Sequence, residues 1–252
     1  MHRILVGSEA LAAEANPALS VEAERHLKVV RPKDCEEVEL FDGRGNVRSF
    51  RYSAAAKTLV AAGEMRTSQR PPVSVTLFAC VTKGQRWDWT LQKATELGAA
   101  RIVPVLSERT IVRVATGERE EKRVRWMKIV EEAARQSSAV WLPELEAPTT
   151  FAAAADLARR TCCFVGALMS PPPPMLLDAA TATAQSSRIP AGGVSVFIGP
   201  EGDFTPQELA SLLEFATPVS FGPLVLRAET AAMYGLAVLS AALASLAPRQ
   251  QR

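Results

Sequence analysis

The chain has 252 residues, 48% hydrophobic and 22% charged, enough to bury one large core or two modest ones and too few for a many-domain assembly. Twenty-nine Lys and Arg against 27 Asp and Glu leave a formal charge of +2, which excludes a histone-like or polyanionic-tail protein but leaves room for a local basic face. Cys35, Cys80, Cys162 and Cys163 form no C-x-x-C pair, so no metal site is expected. With Glu9 and Glu14 interrupting any signal-like apolar start, a reduced cytoplasmic protein is the simplest reading.

The first segments alternate in the manner of strands, around Val38-Glu39-Leu40-Phe41 and again over Asn46 to Tyr52, joined by the turn signal Asp42-Gly43-Arg44-Gly45. This predicts a small β-rich domain over residues 1–70. Gln69-Arg70-Pro71-Pro72 blocks regular structure and marks the boundary to a second domain, 71–252. There, Val73 to Val81 reads as a buried parallel strand. Trp87, Leu91, Ala94 and Leu97 follow at helical spacing, and Gly98 ends that helix. Ile102 to Val105 is a second strand, and Arg123 to Ser137 a second helix with Trp126, Ile129, Val130 and Ala133 on its apolar face.

Further strands are expected at Cys162 to Gly166 and Val194 to Gly199, then a helix from Pro206, a short strand at Val219 to Phe221, and a final helix; the class is α/β. Pro171 to Pro174 and the Ala, Thr and Ser tract from Ala179 to Ser187 read as a surface excursion. The uncharged stretch from Ala231 to Ala247 is shorter than the roughly 20 residues a membrane span requires and is mostly Ala, so it predicts a buried helix that lets another helix approach closely.

The sharpest local signal is Phe197-Ile198-Gly199-Pro200-Glu201-Gly202-Asp203-Phe204-Thr205-Pro206-Gln207-Glu208. An apolar strand enters a Gly-Pro turn, and the next helix opens with Thr205 as N-cap, Pro206 at its first position and Glu208 three residues after the cap. The glycines either make a tight turn or let backbone approach a ligand beyond the strand end. Glu201 argues against a phosphate and for a neutral or cationic ligand. A second Gly-Pro turn, Phe221-Gly222-Pro223-Leu224-Val225-Leu226-Arg227, leads to a helix beginning near Glu229-Thr230. Two such loops suggest two walls of one pocket. Arg227 and Glu229 alone are equally compatible with pairing to each other, or with an acidic residue favoured by a helix start.

These residues resemble the bacterial 16S rRNA (uridine N3) methyltransferase family of the SPOUT superfamily. The matching segments are His26-Leu27 to Val30-Arg31, Leu40-Phe41-Asp42-Gly43, Lys83-Gly84, Lys93-Ala94-Thr95-Glu96-Leu97-Gly98, Ser107-Glu108-Arg109, Arg125-Trp126 with Glu132 to Ser137, Ile198 to Gly202, and Leu226 to Ala231. The resemblance implies a PUA-like β-barrel that helps hold RNA, followed by a trefoil-knot methyltransferase domain that binds S-adenosylmethionine and dimerises. Carried over by position, Leu168, Ile198, Gly199, Pro200, Glu201, Gly202, Phe221, Gly222, Leu224, Leu226 and Arg227 would hold the cofactor, and the Ala-rich last helix is a candidate dimer surface. The chain departs from the family at Asp203, where Gly is usual, at Ala228, where Thr is usual, and at Ser138-Ala139, where Gly-Arg is usual.

The implied reaction is methylation of a uridine N3 in 16S rRNA, near the decoding centre of the small subunit. N3 of uracil must lose a proton to attack a sulfonium methyl, which makes Arg227 the candidate stabiliser of the anion and Glu229 the candidate base or orienter. Arg3, Arg25, His26, Lys28, Arg31, Arg48, Arg51 and Lys83 form the expected RNA face, with Phe50 and Tyr52 interleaved for stacking. The alternative is a non-catalytic RNA-binding or ribosome-assembly factor on the same fold, separable by whether the cofactor binds.

Overall fold

The computed structural model of the chain describes residues 2–186 and 189–244. They form two units. The first comprises the residues up to Arg70 together with Glu131–Leu142, and the second comprises Pro71–Val130 and the residues from Pro143 onward.

In the first unit, strands β1 (His2–Leu5), β2 (Glu37–Phe41), β3 (Asn46–Ser53) and β4 (Thr58–Ala61) make one sheet in that order, with β5 (Arg66–Thr67) beside β3. β1 runs parallel to β2 and the remaining pairs are antiparallel. Ile4, Leu11, Val38, Leu40, Phe50 and Leu59 fill its core. The tight β2–β3 connection is organised by Asp42. Its carboxylate accepts hydrogen bonds from the Arg44 N–H at 2.8 Å, the Asn46 side chain at 2.7 Å and the Ser8 hydroxyl at 2.9 Å. Burial opposes ionisation of Asp42, but these donors outweigh it and hold the carboxyl below its ordinary value.

Two helices, α1 (Ser8–Leu11) and α2 (Val21–Val30), add to the β segments read from the sequence. Ser20 caps α2 by accepting from the Ala23 N–H, and Glu22 and Glu24 favour its positive end. Glu131–Leu142, which the sequence boundary assigns to the second domain, belongs to the first unit. The carbonyls of Ala134 and Ala139 accept from the Arg3 guanidinium, the Trp141 indole donates to the Ser68 carbonyl, and Ala134 packs with Phe41 and Val47. No local pattern around residue 70 signals that a distant segment returns to complete the unit.

In the second unit the strands are β6 (Val75–Cys80), β7 (Arg101–Leu106), β8 (Glu144–Leu145), β9 (Thr149–Thr150), β10 (Cys162–Gly166), β11 (Val194–Ile198) and β12 (Thr217–Val219). The order is β12-β10-β11-β6-β7-β8, with β9 also on β7 and every pairing parallel. β6 and β11 are buried along their whole length, as expected of strands covered on both faces. The helices are α3 (Gln85–Glu96), α4 (Arg119–Ser137, shared with the first unit), α5 (Phe151–Ala158), α6 (Leu176–Gln185), α7 (Pro206–Leu213) and α8 (Ala228–Ala244). Phe78 and Phe197 stack at 5.2 Å between ring centres, and Phe204 meets Phe197 edge-on.

The tract read as a surface excursion is α6. Leu176, Ala180 and Ala184 repeat every four residues, are buried, and let α6 lie close against α8. Ser187 and the sequence from residue 245 lie outside the described residues. The Ala-rich last helix spends its small face within the chain. Ala228, Ala231, Ala232, Gly235, Leu236, Leu239 and Leu243 are buried, packed with α3, α6, β6 and β11. No helix among the described residues is long and apolar enough to cross a membrane.

Candidate active site

The carboxyl ends of β10, β11 and β12 open into a cavity of about 300 Å³ in the second unit. Gly166 and Ala167 come from the end of β10, Ile198 from the end of β11 and Val219 from the end of β12, the position at which open α/β sheets bind ligands. Both Gly-Pro loops line it. From the first come Gly199, Pro200, Glu201 and Asp203, and from the second Phe221, Gly222, Leu224, Leu226 and Arg227, with Leu168 at a third edge. Of the residues assigned to the cofactor, Gly202 alone does not line the cavity. Its carbonyl instead accepts from Arg109 at 2.9 Å.

The first loop is held in place. Besides its bond to Gly202, Arg109 donates to the Phe204 carbonyl, and the Asp203 N–H donates to the Pro200 carbonyl. Thr205 and Glu208 cap α7 reciprocally, and Glu208 also accepts from the Glu108 N–H. Asp203 explains its own departure from the family. It sits at φ +60, the left-handed region where glycine is easiest, and its carboxylate accepts from the next N–H. Ser138, also substituted for a usual glycine, sits at φ +60 as well.

The second loop is less tied. Gly222 adopts φ +120, a side chain there would meet nothing within 4 Å, and Leu224 and Val225 are 75% and 76% exposed. Gly166 lets the Phe221 ring approach, since a β-carbon there would lie 2.7 Å from it. Arg227 is exposed on this rim, whereas Glu229, in the first turn of α8, is buried. The two do not pair. Glu229 faces Arg86, in the first turn of α3. Arg86 also reaches Glu201 at 3.2 Å. The only sequence signal for it is its place just after Lys83-Gly84.

Cys80 and Cys163 are buried, and burial pushes both thiols up to about 12, so neither offers a thiolate. Among the described residues no group of three or more His, Cys, Asp or Glu is arranged to hold a metal.

The expected RNA face divides. Arg3 is buried, its guanidinium spent on Glu39 and on the carbonyls of Ala134 and Ala139. Arg48 donates to the carbonyls of Gly63, Leu11 and Ala13 and pairs with Glu14, and Phe50 is core. These three are corrected to structural roles, because period-two alternation does not reveal which polar side chain is needed inside. His26 is part-buried, and that burial, with Arg135 beside it, lowers its pKa and favours the neutral ring. Arg25, Arg51 and Lys83 are exposed. Lys28 and Arg31 line a cleft of about 570 Å³ in the first unit, with Tyr52 and Lys57, the latter unsuspected from the sequence.

A parallel α/β sheet with a two-loop cavity at its carboxyl edge defines a class, and residues 69–240 match the RNA methyltransferase domain family. The chain is 31% identical to ribosomal RNA small subunit methyltransferase E of Synechocystis over 97% of its own length and 78% of the relative's. It is 32% identical to the Bacillus subtilis protein of that name over 67% and 66%. Among solved structures, ribosomal RNA small subunit methyltransferase E of Neisseria gonorrhoeae, bound to S-adenosylmethionine, superposes with a TM-score of 0.77 at 27% identity, covering 96% of this chain and 97% of that one. A Legionella pneumophila protein in complex with the same cofactor gives 0.78 at 27% identity, over 96% and 98%. The chain belongs to the ribosomal RNA small subunit methyltransferase E family.

Proposed function

We propose that this chain transfers the methyl group of S-adenosylmethionine to N3 of a uridine in 16S rRNA, near the decoding centre of the small ribosomal subunit. The observation that carries this reading is the cavity at the ends of β10, β11 and β12, lined by ten of the eleven residues that the resemblance assigns to the cofactor. They fit that group. Ile198, Leu224 and Leu226 give apolar walls, Gly222 leaves open space beside backbone polar groups, and the Glu201 carboxylate suits a cation better than a phosphate.

When bound, the cofactor supplies an electrophilic methyl on a positively charged sulfur. The chain has to hold the base in line with it, a contribution worth up to roughly 7–11 kcal/mol in well-oriented reactions. It also has to favour loss of the N3 proton. Arg227, on the rim, would stabilise the uracil anion, and Glu229, buried in the first turn of α8 next to the cavity-lining Ala228, would accept the proton or orient the ring. Lys28, Arg31 and Lys57 around the Tyr52 cleft, with Arg25, Arg51 and Lys83, would meet phosphates and an unstacked base. The PUA-like barrel, the trefoil knot, the homodimer and the cytoplasmic setting belong to the same reading.

The test is transfer from labelled S-adenosylmethionine to unmethylated small subunits and, in parallel, to stripped RNA, with the product nucleotide identified by mass spectrometry. Label in 3-methyluridine is the expected result. Label in another nucleotide overturns the assigned position, and failure to bind the cofactor turns the reading to a non-catalytic RNA-binding factor.

A further inference from the structure

Glu229 is buried, with its side chain 6% exposed, and its two oxygens differ. Its Oε1 lies at ion-pair distance, 3.9 Å, from Nε of Arg86, whereas its Oε2 is buried with no hydrogen-bond partner among the described residues. A buried acceptor left unmade costs roughly 1–3 kcal/mol. Glu229 does not itself line the cavity, but it follows Arg227 and Ala228, which do, so its unpartnered oxygen marks a place beside the site where a donor is missing. Among the described residues, Arg86 is the one cation within ion-pair distance of Glu229.

Arg86 also reaches one wall of the cavity. Its Nη1 lies 3.2 Å from Oε1 of Glu201, which lines the cavity, so one guanidinium connects the first Gly-Pro loop to the first turn of α8. A planar fork can serve two carboxylates at once, which a lysine ammonium on a single flexible stem does poorly. At 47% side-chain exposure, Arg86 is no core residue.

We propose that Arg86 is a positioning residue for methyl transfer: it fixes Glu201 and Oε1 of Glu229, and so leaves Oε2 of Glu229 as a preset acceptor for an N–H donor on the substrate base. This rests on the function proposed above. An imide N3–H is a donor of the required kind, and a carboxylate is acceptor-only, so the pairing selects a base that presents N–H there.

Single-turnover transfer to unmethylated small subunits, and cofactor affinity by calorimetry, are measured for the wild type, Arg86→Gln, Arg86→Lys, Glu229→Gln and the Arg86→Gln/Glu229→Gln double variant. Arg86→Gln is expected to slow transfer by about tenfold or more while the cofactor Kd moves less than about threefold, with Arg86→Lys intermediate. In the Glu229→Gln background the same change should cost less than about threefold, because the two residues act as one unit. Full additivity, an equal loss in cofactor affinity, or no effect of Arg86→Gln would overturn the assignment while wild-type transfer keeps the function intact. A wild type that transfers no methyl to the subunits brings down the function, and this inference with it.

Discussion

The two loops that wall the cavity share a Gly-Pro turn and little else. The Gly199–Phe204 loop is tied by Arg109, by the Asp203 turn and by the Thr205–Glu208 cap, all within its own unit. The Phe221–Arg227 loop keeps a contact between Ser220 and Gly222 and presents Leu224, Val225 and Arg227 to solvent. The difference teaches that a site can divide its tasks. A prearranged wall gives shape at no ordering cost on binding, whereas an exposed apolar wall has surface still to bury when a ligand arrives.

The contrast is broken most sharply at Arg227. Arg227→Ala should lower methyl transfer by about a hundredfold, the size typical for losing one donor to a developing anion, and leave cofactor affinity within about threefold. Equal losses in both would reduce it to a binding residue. Gly222→Ala comes next. Alanine at φ +120 strains the turn and projects into open space, so cofactor Kd, read by calorimetry, should rise about tenfold, equivalent to roughly 1.4 kcal/mol. An unchanged Kd would show that the second loop refolds freely around the ligand.

On the tied wall the effects should appear as stability first. Arg109→Ala removes two bonds to loop carbonyls and should lower the unfolding free energy by about 1–2 kcal/mol in a denaturant titration. Thr205→Ala removes the cap of α7 and should cost about 1 kcal/mol, with transfer per folded molecule nearly unchanged. Loss of activity without loss of stability in either variant would mean that the first wall moves during turnover.

Much of this site was legible in the sequence, because strand, Gly-Pro turn and capped helix are local signals. Thr205, Pro206 and Glu208 occupy the cap positions that their spacing predicts. What failed was long-range. Arg86 stands 115 residues before Glu201 in the chain, and its place just after Lys83-Gly84 does not show which carboxylates it meets. Arg3 and Arg48 read as surface cations because residue type alone does not show that carbonyls 131 and 37 residues away need donors. α6 was missed because an Ala and Thr tract has little apolar contrast, and its helix depends on the neighbour it packs against.

The return of Glu131–Leu142 to the first unit bears on how this protein can be cut. A peptide ending at Arg70 would leave the Arg3 guanidinium without the carbonyls of Ala134 and Ala139, and would lose the Ala134 contact with Phe41 and Val47. A single protease nick after Arg70 therefore releases no self-sufficient piece. A design that keeps this unit whole has to carry both stretches of the chain.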